Sequence, residues 1–141
     1  MSKFSNYTEN NIIETTLRGA AYPVPASINL ALFTADPTDA NTTANEVGVA
    51  AWPAYVRKDA AAGGVISSGW TAAADGVSSN AKVITFPANN GSGNVTVTHI
   101  GIYDAATGGN LLYHAPLAAS KTLLPGDVIS FSIGALTVTV A

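Results

Sequence analysis

The strongest β-strand pattern in the chain is Val95-Thr96-Val97-Thr98-His99-Ile100-Gly101-Ile102-Tyr103. Its first half alternates apolar and polar residues, which predicts a β-strand, and its second half is apolar on both faces, which predicts a central place in a sheet. Residues 104–109 form a turn, and Leu111 to Leu117 then returns as the partner strand. These two segments predict an antiparallel β-hairpin.

Further short strands are predicted on both sides of this hairpin, with turn residues between them. They cover residues 27–34, residues 83–86, residues 129–133 and residues 136–140, with one more strand around 54–58 inside a long loop. The last two show the clearest alternation, since Ile129, Phe131 and Ile133 recur at every second position. Six to eight such strands predict a single antiparallel β-sandwich or jelly-roll-like domain.

The N-terminal segment carries the one good helix pattern. Ser2 to Arg18 has partial helical spacing, and Gly19 follows where a helix stop belongs. Pro23 and Pro25 then impose an extended connector. We therefore predict a mainly β protein with one domain over residues 1–141, in which residues 1–25 are helix and connector and residues 26–141 are the β-sandwich body.

Composition excludes several classes of protein. Only 11% of the residues are charged, and six basic residues spread along the chain give no electrostatic footprint for nucleic acid. The chain has no cysteine, which excludes disulfides, thiolate catalysis and zinc–sulfur sites. No run of 18 apolar residues is present, and the polar N-terminus lacks the apolar core of a signal peptide. We expect no nucleic-acid partner, no membrane association and no cofactor.

The residues that could carry chemistry are few. His99 and His114 lie on predicted neighbouring strands and could supply two metal ligands, but a hydrogen-bonded structural role is favoured, with Asp104 the nearest acidic residue in sequence. Asp36 and Asp39 could ligate calcium, although Asx-turn chemistry around a proline explains them more simply. No nucleophile elbow or phosphate loop appears, so the sequence predicts a protein that is not an enzyme.

Several stretches, spread through most of the chain, resemble a family of small proteins encoded in the structural modules of tailed bacteriophages and commonly labelled phage tail fibre proteins. The longest runs from Val97 through His99-Ile100-Gly101-Ile102-Tyr103-Asp104 to Leu112. The others, in the family's order, are Phe4-Ser5-Asn6-Tyr7, Ile28 to Asp39, Thr85-Phe86-Pro87-Ala88, Gly126-Asp127 with Ile129-Ser130-Phe131, and Gly134 to Thr139. This ordered set is more specific than any single motif.

The resemblance implies a structural protein of the virion that is assembled in the cytoplasm of the bacterial host. A compact, weakly charged β-domain without a stalk fits a capsid decoration (cement) protein, which binds across junctions of the major capsid protein. The resemblance implies that the major capsid protein or another virion protein is the partner and that the chain forms a homo-oligomer, with a trimer favoured. The head surface is therefore the favoured location. The alternative is a component of the tail, tail fibre or baseplate with a role in host attachment.

The chain departs from the family pattern at Ala51 to Lys58, where the family commonly has a Gly-Gly-Tyr-Ala-Arg-like strand. This region and the N-terminal helix are the candidate contact sites. The predicted interaction residues are Phe4, Tyr7, Ile12, Trp52, Tyr55, Arg57 and Trp70. A third hypothesis is a host-recognition module in which Trp52, Tyr55 and Trp70 line a saccharide-binding face, although a core or subunit-interface role is favoured for these aromatics.

Overall fold

The computed structural model describes residues 2–140, so the first and last positions of the predicted 1–141 domain lie outside the described residues. The helix α1 is Asn6–Arg18. The strands are β1 Lys3–Phe4, β2 Asn29–Phe33, β3 Lys58–Asp59, β4 Val77–Ser79, β5 Ile84–Thr85, β6 Val95–Tyr103, β7 Leu111–Leu123, β8 Ser130–Phe131 and β9 Thr137–Thr139. Short 3₁₀ turns lie at Thr43–Asn45 and Ile66–Ser68. The predicted mainly β fold with an N-terminal helix is confirmed.

A five-stranded antiparallel sheet with the order β1-β7-β6-β2-β3 forms the body of the fold. The predicted hairpin lies at its centre, with Ile100 opposite Ala115 and Gly101 opposite His114. A side chain at Gly101 would lie 2.7 Å from the Phe33 ring, so the small residue lets Phe33 pack closely over β6.

Two small sheets, β4–β9 and β5–β8, pack against one face of this large sheet and make a sandwich-like domain. The core between them contains Leu30 and Leu32 from β2 together with Phe86 and Phe131 from the facing layer. The opposite face of the large sheet holds a second buried cluster, Ala31, Phe33, Tyr103 and Leu111. Every residue of β2 is therefore buried, whereas the sequence indicated one buried face, formed by Ile28, Leu30 and Leu32.

Three parts of the strand prediction need correction. The strand predicted around 54–58 is only Lys58–Asp59, which pairs with β2. Lys3 and Phe4 pair with β7, so the helix begins at Asn6 rather than near Ser2. The last two strands, predicted as 129–133 and 136–140, are only Ser130–Phe131 and Thr137–Thr139. Their missing ends are bonded to the buried side chain of Asn80, whose amide donates to the Ser132 carbonyl and accepts from the Leu136 amide. At these positions, hydrogen bonds to the Asn80 side chain replace the backbone hydrogen bonds of a strand pair.

Candidate interaction surface

The first turn of α1 is fixed to the body by buried hydroxyl groups. Ser5 caps the helix by accepting from the Thr8 amide, and its own hydroxyl donates to the Leu111 carbonyl on β7. The Thr8 hydroxyl donates to the Leu112 carbonyl at 2.9 Å. Because Ser5 and Thr8 are only 1% exposed, these bonds hold the start of the helix against the sheet.

The rest of α1 is left largely uncovered. Of its 13 residues only Thr8 is buried. Ile13 is 52% exposed and Leu17 79% exposed, one helical turn apart on one face, and Val24 in the connector is 83% exposed. Gly19 closes the helix in the left-handed conformation, and its amide bonds to the Glu14 carbonyl. The helix is thus capped at both ends while it presents apolar side chains to solvent.

Two of the predicted contact aromatics belong to the core instead. Trp52 is fully buried, and its indole nitrogen donates to the Ala88 carbonyl at 3.0 Å. Tyr55 stacks parallel to Phe86 with a centroid separation of 6.1 Å and donates its hydroxyl to Glu46. Their assignment as surface contacts is corrected, since neither ring is open to a partner or a saccharide. The bulky rings fill the space between the loop over 46–57 and the facing sheets.

Arg57 is also engaged within the chain. Its guanidinium forms a bidentate ion pair with Glu46, at 2.8 and 2.7 Å, and donates to the carbonyls of Ala105 and Gly108. It lies 3.5 Å above the ring centroid of Tyr103. With its side chain only 6% exposed, Arg57 fastens the turn of the central hairpin to the loop that carries Glu46. Its assignment as a contact residue is corrected on the same ground.

Burial around this ion pair holds the neighbouring phenols in the neutral form. Removal from water raises the pKa of Tyr103 to about 12, although the Arg57 cation acts in the opposite direction. Burial, supported by the nearby Glu46 carboxylate, raises the pKa of Tyr55 further. Tyr55 and Tyr103 are therefore uncharged in the folded protein.

His114 has acidic neighbours that its sequence position does not reveal. Its ring nitrogens lie 3.2 Å from an Asp36 oxygen and 2.8 Å from an Asp39 oxygen, so a protonated ring donates to both carboxylates. The Thr38 amide donates to Asp36 and, together with the charge of His114, lowers the pKa of that carboxyl. The cluster pins the 36–39 turn to β7, and the Asp36 to Thr38 bond confirms the predicted Asx turn. Asp104, the acidic residue nearest to the histidines in sequence, is not the one that contacts His114 in the fold.

The other predicted contact residues are half-buried. Phe4 packs on Tyr113 with a centroid distance of 5.4 Å, and Tyr7 and Ile12 lie on α1. Trp70 packs against the core, with its indole nitrogen buried and unpaired. The structure brings Tyr55 and Arg57 together but does not join them to the helix residues.

The exposed apolar residues of α1 were missed as candidate contacts. Ile13 and Leu17 contribute to the helical pattern in the sequence, but the pattern alone does not say which apolar side of a short helix faces the body. Their spacing by four residues was the available signal.

Within residues 2–140, no three histidine, aspartate or glutamate side chains are grouped so that they could hold a metal ion. This part of the chain also contains no membrane-spanning helix, because none of its helices has the length and apolar character that a span requires.

Fold and surface together define a small, mainly β protein with a capped helix that displays apolar side chains, as structural proteins do where they meet other subunits. A family model described as "Podophage GP4 fiber I protein gp80" matches residues 3–139. The chain belongs to this Gp80 family and is a phage fibre-type structural protein of the virion. No curated protein matches the chain.

Proposed function

We propose that the chain is a non-enzymatic structural subunit of the tail fibre apparatus, joined to a neighbouring virion protein by the exposed face of α1. The family description names a fibre protein, which supports this proposal, and it gives no support to capsid decoration, the role that the sequence analysis favoured. The observation that supports this contact is that the first turn of α1 is fixed to the body while the apolar face with Ile13 and Leu17 is left uncovered.

The helix is preformed for such a contact. An isolated helix of 13 residues is marginal in water, yet α1 has an N-cap at Ser5, a left-handed C-cap at Gly19 and a Glu14–Arg18 ion pair at 3.0 Å. A helix that is already ordered loses less conformational entropy when it binds. Ile13 and Leu17 then supply the apolar anchors for a groove on the partner.

Location is tested by immunogold labelling of intact virions of the phage that encodes the chain. Gold confined to the tail or its fibres is the expected result. Gold spread over the heads would overturn the fibre proposal and restore the capsid decoration hypothesis, with the major capsid protein as partner.

The helix contact is tested with Ile13→Gln/Leu17→Gln, because glutamine retains helix propensity and removes the apolar anchors. Virions are assembled in cells that supply only the variant, and its copy number is measured by quantitative blotting. We expect at least a tenfold loss of incorporation. The matched control is Val65→Gln/Val83→Gln, which changes two side chains that are 72% and 54% exposed outside the helix. Equal incorporation of both variants would contradict the helix contact.

Deletion of residues 1–18 does not provide this test. The deletion would also remove β1 and the buried hydroxyls of Ser5 and Thr8, so a failed assembly could result from a damaged sheet. Point substitutions on the exposed face avoid that ambiguity.

A further inference from the structure

The turn between β5 and β6 contains a chemically labile dipeptide. Asn90 is the one asparagine in the chain that is followed by glycine, at Gly91. In such a pair the amide nitrogen of the glycine can attack the side-chain carbonyl carbon of the asparagine, because glycine has no side chain that would block the approach. The attack leads to deamidation, a covalent change that replaces a neutral side chain by an acidic one.

Both residues of this pair anchor the loop over 46–57. The Asn90 side-chain oxygen accepts from the Ala54 amide at 2.8 Å. Gly91 lies so close to the Ala51 carbonyl that a side chain at this position would overlap it. Replacement of the glycine therefore does not fit the fold, and loss of the asparagine oxygen removes a hydrogen bond that holds the loop. The fold thus keeps the labile pair because it uses both of its residues.

Hydrogen bonds engage both of the groups that would react. The Gly91 amide donates at 3.0 Å to the side-chain oxygen of Asn89, which is fully buried. Deamidation needs the Gly91 nitrogen without its proton, so a bond that retains this proton opposes the reaction. It also needs the Asn90 side chain to turn toward that nitrogen, which the bond to Ala54 opposes. Asn90 itself is exposed, so the restraint comes from these bonds and not from exclusion of water.

We propose that Asn90 is a latent deamidation site, and that the fold suppresses its reaction through the Asn90–Ala54 and Gly91–Asn89 bonds. In the reaction, hydroxide takes the Gly91 amide proton, and the nitrogen forms a bond to the side-chain carbonyl carbon of Asn90. The bond from that carbon to the side-chain nitrogen breaks, and ammonia leaves with a proton from water. A second water molecule opens the cyclic imide at either carbonyl and gives aspartate or isoaspartate.

The two products differ in what they do to the loop. Aspartate keeps a side-chain oxygen for the Ala54 amide, whereas isoaspartate adds one methylene group to the backbone and displaces this anchor. The displaced loop carries Trp52, Tyr55 and Arg57. In the folded chain, the reaction proceeds at the rate of the open turn multiplied by the fraction of molecules in which the turn is open. The inference is independent of the position of the protein in the virion.

A second asparagine–glycine pair in the same turn provides the matched control. Ser92→Asn places an asparagine before Gly93; both positions are exposed, and no atom of residues 2–140 lies within 4 Å of where a Gly93 side chain would begin. The purified full chain with this substitution is incubated at mildly alkaline pH, and peptide mapping by mass spectrometry follows both asparagines. We expect Asn90 to react at least tenfold more slowly than the introduced asparagine. Equal rates in the folded protein would overturn the inference.

Denaturant separates protection by the fold from an effect of neighbouring residues in sequence. In urea that unfolds the same variant, both pairs lose their hydrogen bonds, and we expect rates that differ by less than about threefold. If Asn90 stayed tenfold slower in urea, its protection would come from the local sequence, and the inference would be wrong.

The role of the loop is tested with Trp52→Phe in the Ser92→Asn background. This change keeps an aromatic ring in the core but removes the indole bond to the Ala88 carbonyl, which joins the loop to the turn. We expect deamidation of Asn90 to become at least threefold faster, while the introduced asparagine reacts at an unchanged rate. An unchanged rate at Asn90 would contradict restraint by the loop.

Discussion

Two arginine–glutamate pairs within residues 2–140 lie in opposite surroundings. Arg57 and Glu46 are 6% and 15% exposed, whereas Arg18 and Glu14 on the helix are 72% and 48% exposed. The first pair also binds two carbonyls and covers a tyrosine ring, so it closes one end of the molecule. The second is a solvated pair along an uncovered helix.

The difference shows where the molecule is closed and where it is open. At the closed end, the buried charges are satisfied within the chain, as burial requires. On α1, the charges stay in water while Ile13 and Leu17 remain uncovered. The exposed Glu14–Arg18 pair contributes little to stability. Ile13 and Leu17 are more than half exposed, so they also bury little apolar surface in the isolated fold. The proposed contact accounts for them.

The largest expected effect is at Trp52, which anchors the closed end. Trp52→Ala leaves a cavity in the core and removes the bond to Ala88, so the free energy of unfolding should fall by about 4 kcal/mol. The measurement is urea unfolding followed by far-ultraviolet circular dichroism. Trp70→Ala is the control, and a smaller loss is expected because Trp70 is half-buried. An equal loss would contradict the difference between the two sites.

Arg57→Ala tests the ion pair directly. It removes the guanidinium from two backbone carbonyls and from the Glu46 carboxylate, which then keeps only the Tyr55 hydroxyl as a donor, and we expect a loss of about 3 kcal/mol in the free energy of unfolding. Arg18→Ala, at the exposed pair, should cost less than about 0.5 kcal/mol. Urea titrations of the two variants under the same conditions give the comparison. A loss below 1 kcal/mol for Arg57→Ala would mean that the buried pair does not hold the closed end.

Much of the fold was predictable because the spacing of apolar residues along a segment indicates which of its side chains are buried. The pattern over Val95 to Tyr103 predicts its strand from end to end. The clear alternation after Ile129 predicts longer strands than the structure has. The side chain of Asn80, more than fifty residues earlier in the sequence, binds the Ser132 carbonyl and the Leu136 amide that a strand partner would otherwise bind. Lys3–Phe4 is a strand only because β7 lies beside it. Such long-range pairings leave no local periodicity.

The candidate site was less predictable than the fold. The sequence alone does not distinguish an exposed contact tryptophan from a core tryptophan. Trp52 lies in the core because the 46–57 loop folds over the sheet. The partners of Arg57 and of His114 are between 11 and 78 residues away from them in sequence. The exposed face of α1 depends on the Ser5 and Thr8 bonds that set the rotation of the helix against β7.

Alkaline pH should weaken the closed end first. In the unfolded chain tyrosine ionises near pH 10, whereas Tyr103 keeps its proton up to about pH 12 in the fold. The stabilisation is therefore complete below pH 10 and is lost as pH rises from 10 to 12, at up to about 1.4 kcal/mol per pH unit for this residue. Urea unfolding at several pH values, with phenolate absorbance at 295 nm, provides the measurement. A free energy of unfolding that stays constant up to pH 12 would contradict the argument.

The smallest expected effect on stability is that of Ile13→Gln/Leu17→Gln. Both side chains are more than half exposed, and glutamine maintains the helix, so the free energy of unfolding of the isolated chain should change by less than about 0.5 kcal/mol. Urea unfolding and helical circular dichroism measure this directly. A loss above 1 kcal/mol would show that the chain itself packs these residues, and failed incorporation would then report instability. With unchanged stability, failed incorporation reports a missing contact, because the fold is intact and only the surface facing the partner has changed.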